Sequence, residues 1–432
     1  AEIPELNSDT MQTPSSLQET TLRIIQNLER TASFVEDEKT KKKLVSVKNI
    51  FTSGNIEQKE LLKGFNLRIW GAGSCGLCCA YLFSCHGAKV LLNEKRGERG
   101  LLSACSRTPN ISWKNFEKTI MPALTKKDFD RLFESIIHHG GVIDPKSGKL
   151  RSSIGAFQEA LHEQISLNEV ALDLNRKMEM ENINDDEDFD IQVICAGVHT
   201  KEEIKLKNFT PLLFPGGLGE IFITTTMYPT DEKTGFYRDE WEEGQIVSPH
   251  GEVSWRRKNI NVQSVETFEK EIDRFVFNLQ KKGFDKKDRD LARALKNKKQ
   301  VAHVFYFGNR RDSYHHGIGE ENYPCITEKV DVGSWMFNQF VDENNRPPVV
   351  LMGDATGPSH PLAAIGAYLS SKNSVDLLKY CILTHNLKSI KNTPAVMDGD
   401  MAKDALYWLE GKMLLDRLMV FLQARLCSHY SR

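Results

Sequence analysis

The stretch LRIWGAGSCGLCCAYLFSCHGAKVLLNEKR, Leu67 to Arg96, decides the fold. Leu67 to Trp70 is a short apolar run of the kind that forms a buried strand, and it feeds directly into Gly71, Gly73 and Gly76. LCCAYLF then has the length of a helix, with small Ala80 where a helix must lie close to a sheet. Gly87 ends that helix, and AKVLLNE reads as a second strand closed by Glu94, 18 residues past the third glycine. Each glycine answers a physical demand. The first allows a tight turn, the second lets the backbone approach a pyrophosphate, and the third lets helix and strand pack. The helix N-terminus offers N–H groups to phosphates, and a carboxylate ending the second strand can accept ribose hydroxyls. The unit predicts a dinucleotide site. Gly71, Gly73, Ser74, Cys75 and Gly76 form its loop, Glu94 holds the adenosine ribose, and Lys95, Arg96 and Arg99 lie near the adenine or phosphates.

Composition narrows the class. With 432 residues the chain is long enough for more than one domain. Its formal net charge of −2 gives no bulk field to attract nucleic acid or an anionic membrane. No run approaches the roughly 20 apolar residues of a membrane span. Four of the nine cysteines, Cys75, Cys78, Cys79 and Cys85, crowd the glycine loop and its helix. That distribution suits reduced thiols in a cytoplasmic protein better than a disulfide framework. Cys75 and Cys78 have no second ligand pair nearby in sequence, so no metal site is expected.

Outward from the loop, residues 1–66 read as a helical N-terminal extension, disordered to about residue 14. Ser16 and Glu19 suggest a capping box, followed by Leu17, Ile24, Ile25, Leu28 and Val35 on one face. Further helices are expected after the KTKKK run and over Ile56 to Leu62. The extension is expected to pack on the main domain, with partner binding as the alternative. Residues 67–200 form the first part of the nucleotide-binding domain, ending with the buried strand IQVICAG. Residues 201–345 change character: EIFITTTMYP, GEVSWRR and VAHVFYFG have strand composition and predict an inserted, sheet-based substrate domain. Within it, residues 281–300 carry nine Lys/Arg against three Asp, a solvated face or a docking site for an acidic protein partner. The first domain resumes over 346–382, and 383–432 read as C-terminal helices.

A second strand–Gly–Asp–helix element, PVVLMGD, returns about 280 residues after the first. Gly353 and Asp354, followed by Pro361, Gly366 and Asp376, resemble the FAD-closing motif of class A flavoprotein monooxygenases, the p-hydroxybenzoate hydroxylase fold. The resemblance implies an α/β chain whose Rossmann-like, glutathione-reductase-type domain binds FAD. It also implies that Asp354 accepts a hydrogen bond from the ribitol. A helix opened by Pro361, Ala364, Ile365 and Gly366 then points its N-terminus at the flavin pyrimidine edge. Within that class the chain is most similar to the MICAL flavin domain. The likeness rests on Cys75 in the loop, Glu94-Lys95-Arg96, Ser153-Ile154 with Gln158 and Leu161, and Phe189-Asp190 before the Ala-Gly strand. His360 stands where that pattern holds an aromatic residue facing the ring, which implies a place on the substrate side of the isoalloxazine.

The implied activity is monooxygenation: NADPH or NADH reduces FAD, and a C4a-hydroperoxide transfers one oxygen to a nucleophilic substrate atom, in a small molecule or a protein side chain. Two other readings are carried: an FAD-dependent oxidase or reductase acting on a C–H or C=C bond, and a non-catalytic flavin-binding interaction protein.

Overall fold

The computed structural model describes residues 14–52, 60–97, 110–111, 113–143, 150–152, 154–179, 188–197, 212–213, 220–226, 246–247, 252–258, 270, 302–307, 326–331, 335–336, 340–341, 349–355, 366–388, 390, 401, 403–413 and 415–416. The chain opens with two helices, α1 (Pro14–Phe34) and α2 (Glu38–Thr52). The strand–loop–helix–strand unit follows as β1 (Asn66–Trp70), α3 (Ser74–Cys85) and β2 (Lys89–Glu94). Next come β3 (Asn110–Ile111), α4 (Trp113–Ile120), α5 (Lys126–His138), β4 (Val142–Ile143), β5 (Leu150–Arg151), α6 (Ile154–Leu167), β6 (Ala171–Leu174) and β7 (Ile191–Ile194). Nine further strands run from β8 (Leu212–Leu213) through β9 (Glu220–Thr226), β10 (Ile246–Val247), β11 (Glu252–Lys258), β12 (Ala302–Phe307), β13 (Ile326–Asp331), β14 (Trp335–Met336) and β15 (Phe340–Val341) to β16 (Val349–Leu351). A 3₁₀ turn, Gly353–Ala355, then leads to α7 (Gly366–Lys388).

The fold is α/β. Its main sheet has the order β15-β16-β7-β1-β2-β6, parallel throughout except for the β15–β16 edge pair. The chain therefore leaves this sheet after β7 and, after a long excursion, re-enters it through the edge strand β15 and then β16, which lies beside β7. A second sheet, β10-β11-β9-β12-β13, is drawn from the excursion and is antiparallel except where β12 meets β13. Three of its strands coincide with EIFITTT, EVSWRRK and AHVFYF, whose β-branched and aromatic composition marks them. The basic 281–300 segment lies outside the described residues.

Alternation of side chains divides the main sheet into two faces. Leu67, Ile69, Val90, Leu92, Ile191, Val193 and Val350 enter the helix-covered core. The opposite face carries Arg68, Trp70, Asn93 and Gln192, all buried and paired across strands. Trp70 Nε1 donates to Gln192 Oε1 (3.1 Å), Arg68 Nε donates to Asn93 Oδ1 (3.0 Å), and Asn93 Nδ2 donates to Asp173 Oδ2 (3.0 Å). The Arg68 guanidinium also lies 4.2 Å from the Trp70 ring centroid, which gives the buried charge an aromatic face.

The helical flanks differ in detail from the sequence pattern. Helix α1 starts at Pro14, placing Ser16 inside its first turn, where the Ser16 carbonyl accepts from Thr20 Oγ1 (2.8 Å). Proline suits the first helical turn because the N–H it lacks would have no partner there. Leu61 and Leu62 belong to a turn closed by Gly64 at φ +83°, and not to the expected third helix. Ile24 and Leu28 of α1 and Leu44, Val47 and Ile50 of α2 join the main core. The two flanks also meet: Arg23 pairs with Asp404 (3.1 Å), and Phe51 stacks edge-on against Trp408 at 5.1 Å.

Helix α3 is buried from Cys75 through Phe83. A Cβ at Gly76 would collide with the Gly71 carbonyl on β1's exit. Gly76→Ala is accordingly expected to destabilise the protein by at least about 3 kcal/mol or to abolish folding, as overpacking against rigid backbone does. Urea unfolding monitored by circular dichroism measures it.

Candidate cofactor site

The glycine loop turns at Gly71, whose φ of +101° is left-handed. A side chain there would also stand 2.5 Å from the Cys195 carbonyl at the end of β7, so both conformation and space require glycine. Gly73 is different in kind. Its backbone is extended, with φ −77° and ψ −174°, and an added Cβ meets nothing within 4 Å. The fold does not need glycine there. What needs it is space on the loop's open side, where α3 begins with no side-chain cap on its first N–H groups. An uncapped helix start facing an open cradle fits an anionic phosphate.

Three side chains border the loop. Glu94, 3% exposed, accepts through Oε2 from the Ala72 N–H (2.7 Å) and through Oε1 from the Arg96 N–H and Nε (both 2.9 Å). Burial by itself would raise its pKa, but the hydrogen bonds from Arg96 and Ala72 outweigh it and hold the carboxyl below its ordinary value. Glu94 thus fixes the loop and is charged where a ribose would reach it. Arg96 sits on Glu94, with Nη2 also 3.2 Å from Oε2, so it reaches the nucleotide region through this carboxylate.

Gln158 of α6 was noted in the sequence only as part of a resemblance. Its Nε2 donates to Ser74 Oγ (3.2 Å), while its buried Oε1 has no partner among the described residues. A buried carbonyl beside the phosphate cradle, lacking a donor, fits a ligand hydroxyl. The 84-residue separation from Ser74 leaves no local sequence signal for this pairing.

The second motif meets the first at Cys75. Gly353 has φ +63°, and a Cβ there would stand 3.1 Å from Cys75 Sγ and 3.3 Å from Ser370 Oγ of α7. The side chain of Asp354, and Arg99, His360, Pro361, Ala364 and Ile365 altogether, lie outside the described residues, while Gly366 opens α7. Lys95 is exposed at the end of β2. The loop cysteines are packing groups. Cys78 faces Ser371 across the α3–α7 contact, and burial pushes its thiol up to about 12. Cys195, hydrogen-bonded to Cys75 and buried, is likewise pushed well up. Among the described residues no cluster of His, Cys, Asp or Glu could hold a metal ion.

No protein-family model matches the chain. No curated protein matches it either. Solved structures do. The tetrameric form of 2-methyl-3-hydroxypyridine-5-carboxylic acid oxygenase is 13% identical, with 85% of this chain and 92% of that one covered at a TM-score of 0.52. A variant of PqsL from P. aeruginosa is 13% identical, covering 84% and 95% at 0.50. Another PqsL structure, called there "a probable FAD-dependent monooxygenase", is 12% identical over 84% and 95% at 0.47. The chain shares the fold of the first two of these proteins.

Two substitutions separate ligand from fold. Gly73→Val is expected to fold with an unchanged unfolding midpoint and to purify without flavin absorbance; retained flavin would refute the cradle. Glu94→Gln is expected to weaken FAD binding by about 1–3 kcal/mol, the range for a charge-assisted hydrogen bond, read by flavin fluorescence titration.

Proposed function

We propose that this chain is an FAD-dependent monooxygenase, reduced by NADPH or NADH, that transfers one oxygen atom to a nucleophilic substrate atom. The observation that carries the reading is the meeting of the two motifs: Gly353 packs on Cys75 beside the open, uncapped start of α3. One motif alone would serve many nucleotide proteins. Both together, at the carboxyl edge of β1 and β16, parallel strands on either side of β7, suit a ligand with a phosphate end and a ring end. The shared fold supports the same reading, and the residual likeness to the MICAL flavin domain is consistent with it.

When bound, the flavin supplies the oxygen-activating chemistry. The chain supplies the rest. Ser74 and the first N–H groups of α3 bind the pyrophosphate, Glu94 takes the adenosine ribose, and Lys95, Arg96 and Arg99 surround the adenine and phosphates. Gln158 Oε1 accepts a hydroxyl of the chain between phosphate and ring. Asp354 accepts a ribitol hydroxyl. Pro361, Ala364 and Ile365, just before α7 in sequence, and Gly366 at its start would hold the flavin at the positive end of that helix. His360, six residues before α7 in sequence, would line the substrate side. Residues 201–345 form the substrate domain, inserted between the two parts of the FAD domain at 67–200 and 346–382. Six described cysteines are all free, which supports a reducing compartment such as the cytoplasm. No described helix is long and apolar enough to cross a membrane.

The test is the purified protein's visible spectrum. NADPH added without air is expected to bleach the flavin, and air to restore it with release of hydrogen peroxide when substrate is absent. A flavin that both NADPH and NADH leave oxidised for many minutes would overturn the proposal. His360→Ala is expected to keep its flavin while changing the rate of reoxidation or turnover; identical kinetics would remove His360 from the site.

A further inference from the structure

The middle of α7 carries a cluster outside the proposed cofactor site. Asp376 and Asp416 are 5% and 1% exposed, one on α7 and the other in the C-terminal helical residues 403–413 and 415–416. Their side chains are hydrogen-bonded to each other. Lys372 Nζ pairs with Asp416 Oδ1. Yet Oδ2 of Asp376 and Oδ2 of Asp416 are both buried without a donor among the described residues. Two carboxylates cannot hydrogen-bond to one another, because both only accept. A single proton removes the conflict, turning one carboxyl into a donor to the other.

We infer that Asp376 and Asp416 hold one proton between them, and that this shared proton latches the C-terminal helical segment onto α7. The charged groups facing the pair are Lys372 and Lys379 from α7 and Lys412 from the C-terminal segment. Of the other helices packed on α7, α3 has no ionised side chain in its sequence, while α2 buries Leu44, Val47 and Ile50 and α4 buries Phe116 and Ile120. Lys372 balances the one negative charge that the protonated pair retains, as its pairing with Asp416 requires. Burial, then the neighbouring Asp416 carboxylate, raises Asp376 to about 7. Burial raises Asp416 as well, and lowers Lys379.

The sign follows from linkage. The docked segment binds a proton that the detached carboxyl would release near its ordinary value, so docking is favoured in acid and weakens as pH rises through about 7. Above that range both carboxylates are charged and repel. For these two values the docking constant falls about tenfold between about pH 6 and about pH 9.

Hydrogen exchange of the full-length protein tests this, with amide protection over residues 403–413 corrected for the intrinsic pH dependence of exchange. Wild type is expected to lose about tenfold protection across that interval while α3 is unchanged. Asp376→Asn, which keeps a permanent donor, is expected to remove the loss. Flat protection in wild type, or the same loss in Asp376→Asn, would overturn the inference. Should that variant not fold, infrared difference spectra of the unmodified protein decide: a protonated carboxyl band present at the lower pH and absent at the higher supports the shared proton. No such band refutes it.

Discussion

The close approach of α3 to β1 is the constraint on which the rest depends. Gly76 lies against the carbonyl of Gly71, and Gly71 in turn lies against the end of β7. No side chain fits in either gap. This crowding places the start of α3 at the carboxyl edge of three adjacent strands, β2, β1 and β7, and turns its first N–H groups into the open space beside Gly73. A helix dipole is useful to an anion only within its first turn, so the distance set by glycine packing becomes a binding property. Glu94 reinforces it by holding the Ala72 N–H inside the loop.

The same economy of size governs the contact between α3 and α7. Cys75, Cys78 and Cys79 face Ser370, Ser371 and Ser374. Thiols and hydroxyls are small enough for the helices to approach and polar enough to satisfy one another when buried. Larger apolar residues would separate α7 from the loop and carry Gly353 away from Cys75. A sequence count of four cysteines near a glycine loop invites redox or metal readings. Burial of Cys75, Cys78 and Cys79, with the Cys78 and Cys79 thiols pushed up in pKa, makes these three inert packing instead.

What the sequence revealed depended on range. The unit from β1 to β2 was legible because its turn, helix and strands are contiguous, and each glycine's demand is local. The strands at 220–226, 252–258 and 302–307 were legible from composition, but β13 was missed. ITEKVD alternates with charge and has little apolar content to announce it. Helix α5 also went unread although its signals were present: Thr125 Oγ1 accepts from the Asp128 N–H, and Phe129, Leu132 and Ile136 line the inner face. The sequence pattern wrongly extended a helix to Leu62, because two buried leucines in a turn look like a helical face. At the site, Gly71, Gly73, Gly76, Glu94 and Gly353 could be named in advance. Gln158 could not be assigned its place, since only the folded sheet brings it to Ser74.

Helix α7 joins these observations. One face, with Ser370, Ser371 and Ser374, is placed by small groups against α3, and the opposite face, with Lys372, Asp376 and Lys379, by ionisable groups against the C-terminal segment. The two faces obey different physics. Packing of thiols, serines and glycines is indifferent to pH over the physiological range, because the thiols are pushed out of it. The pairing of Asp376 with Asp416 is not, because burial moves a carboxyl into it. A helix held on one face by shape and on the other by a proton keeps its contact with α3 fixed while its contact with the C-terminal segment responds to conditions. The Arg23–Asp404 and Phe51–Trp408 contacts carry the C-terminal segment onward to α1 and α2. The N-terminal helices are therefore tied to the nucleotide fold through the C-terminal segment as well as through the core.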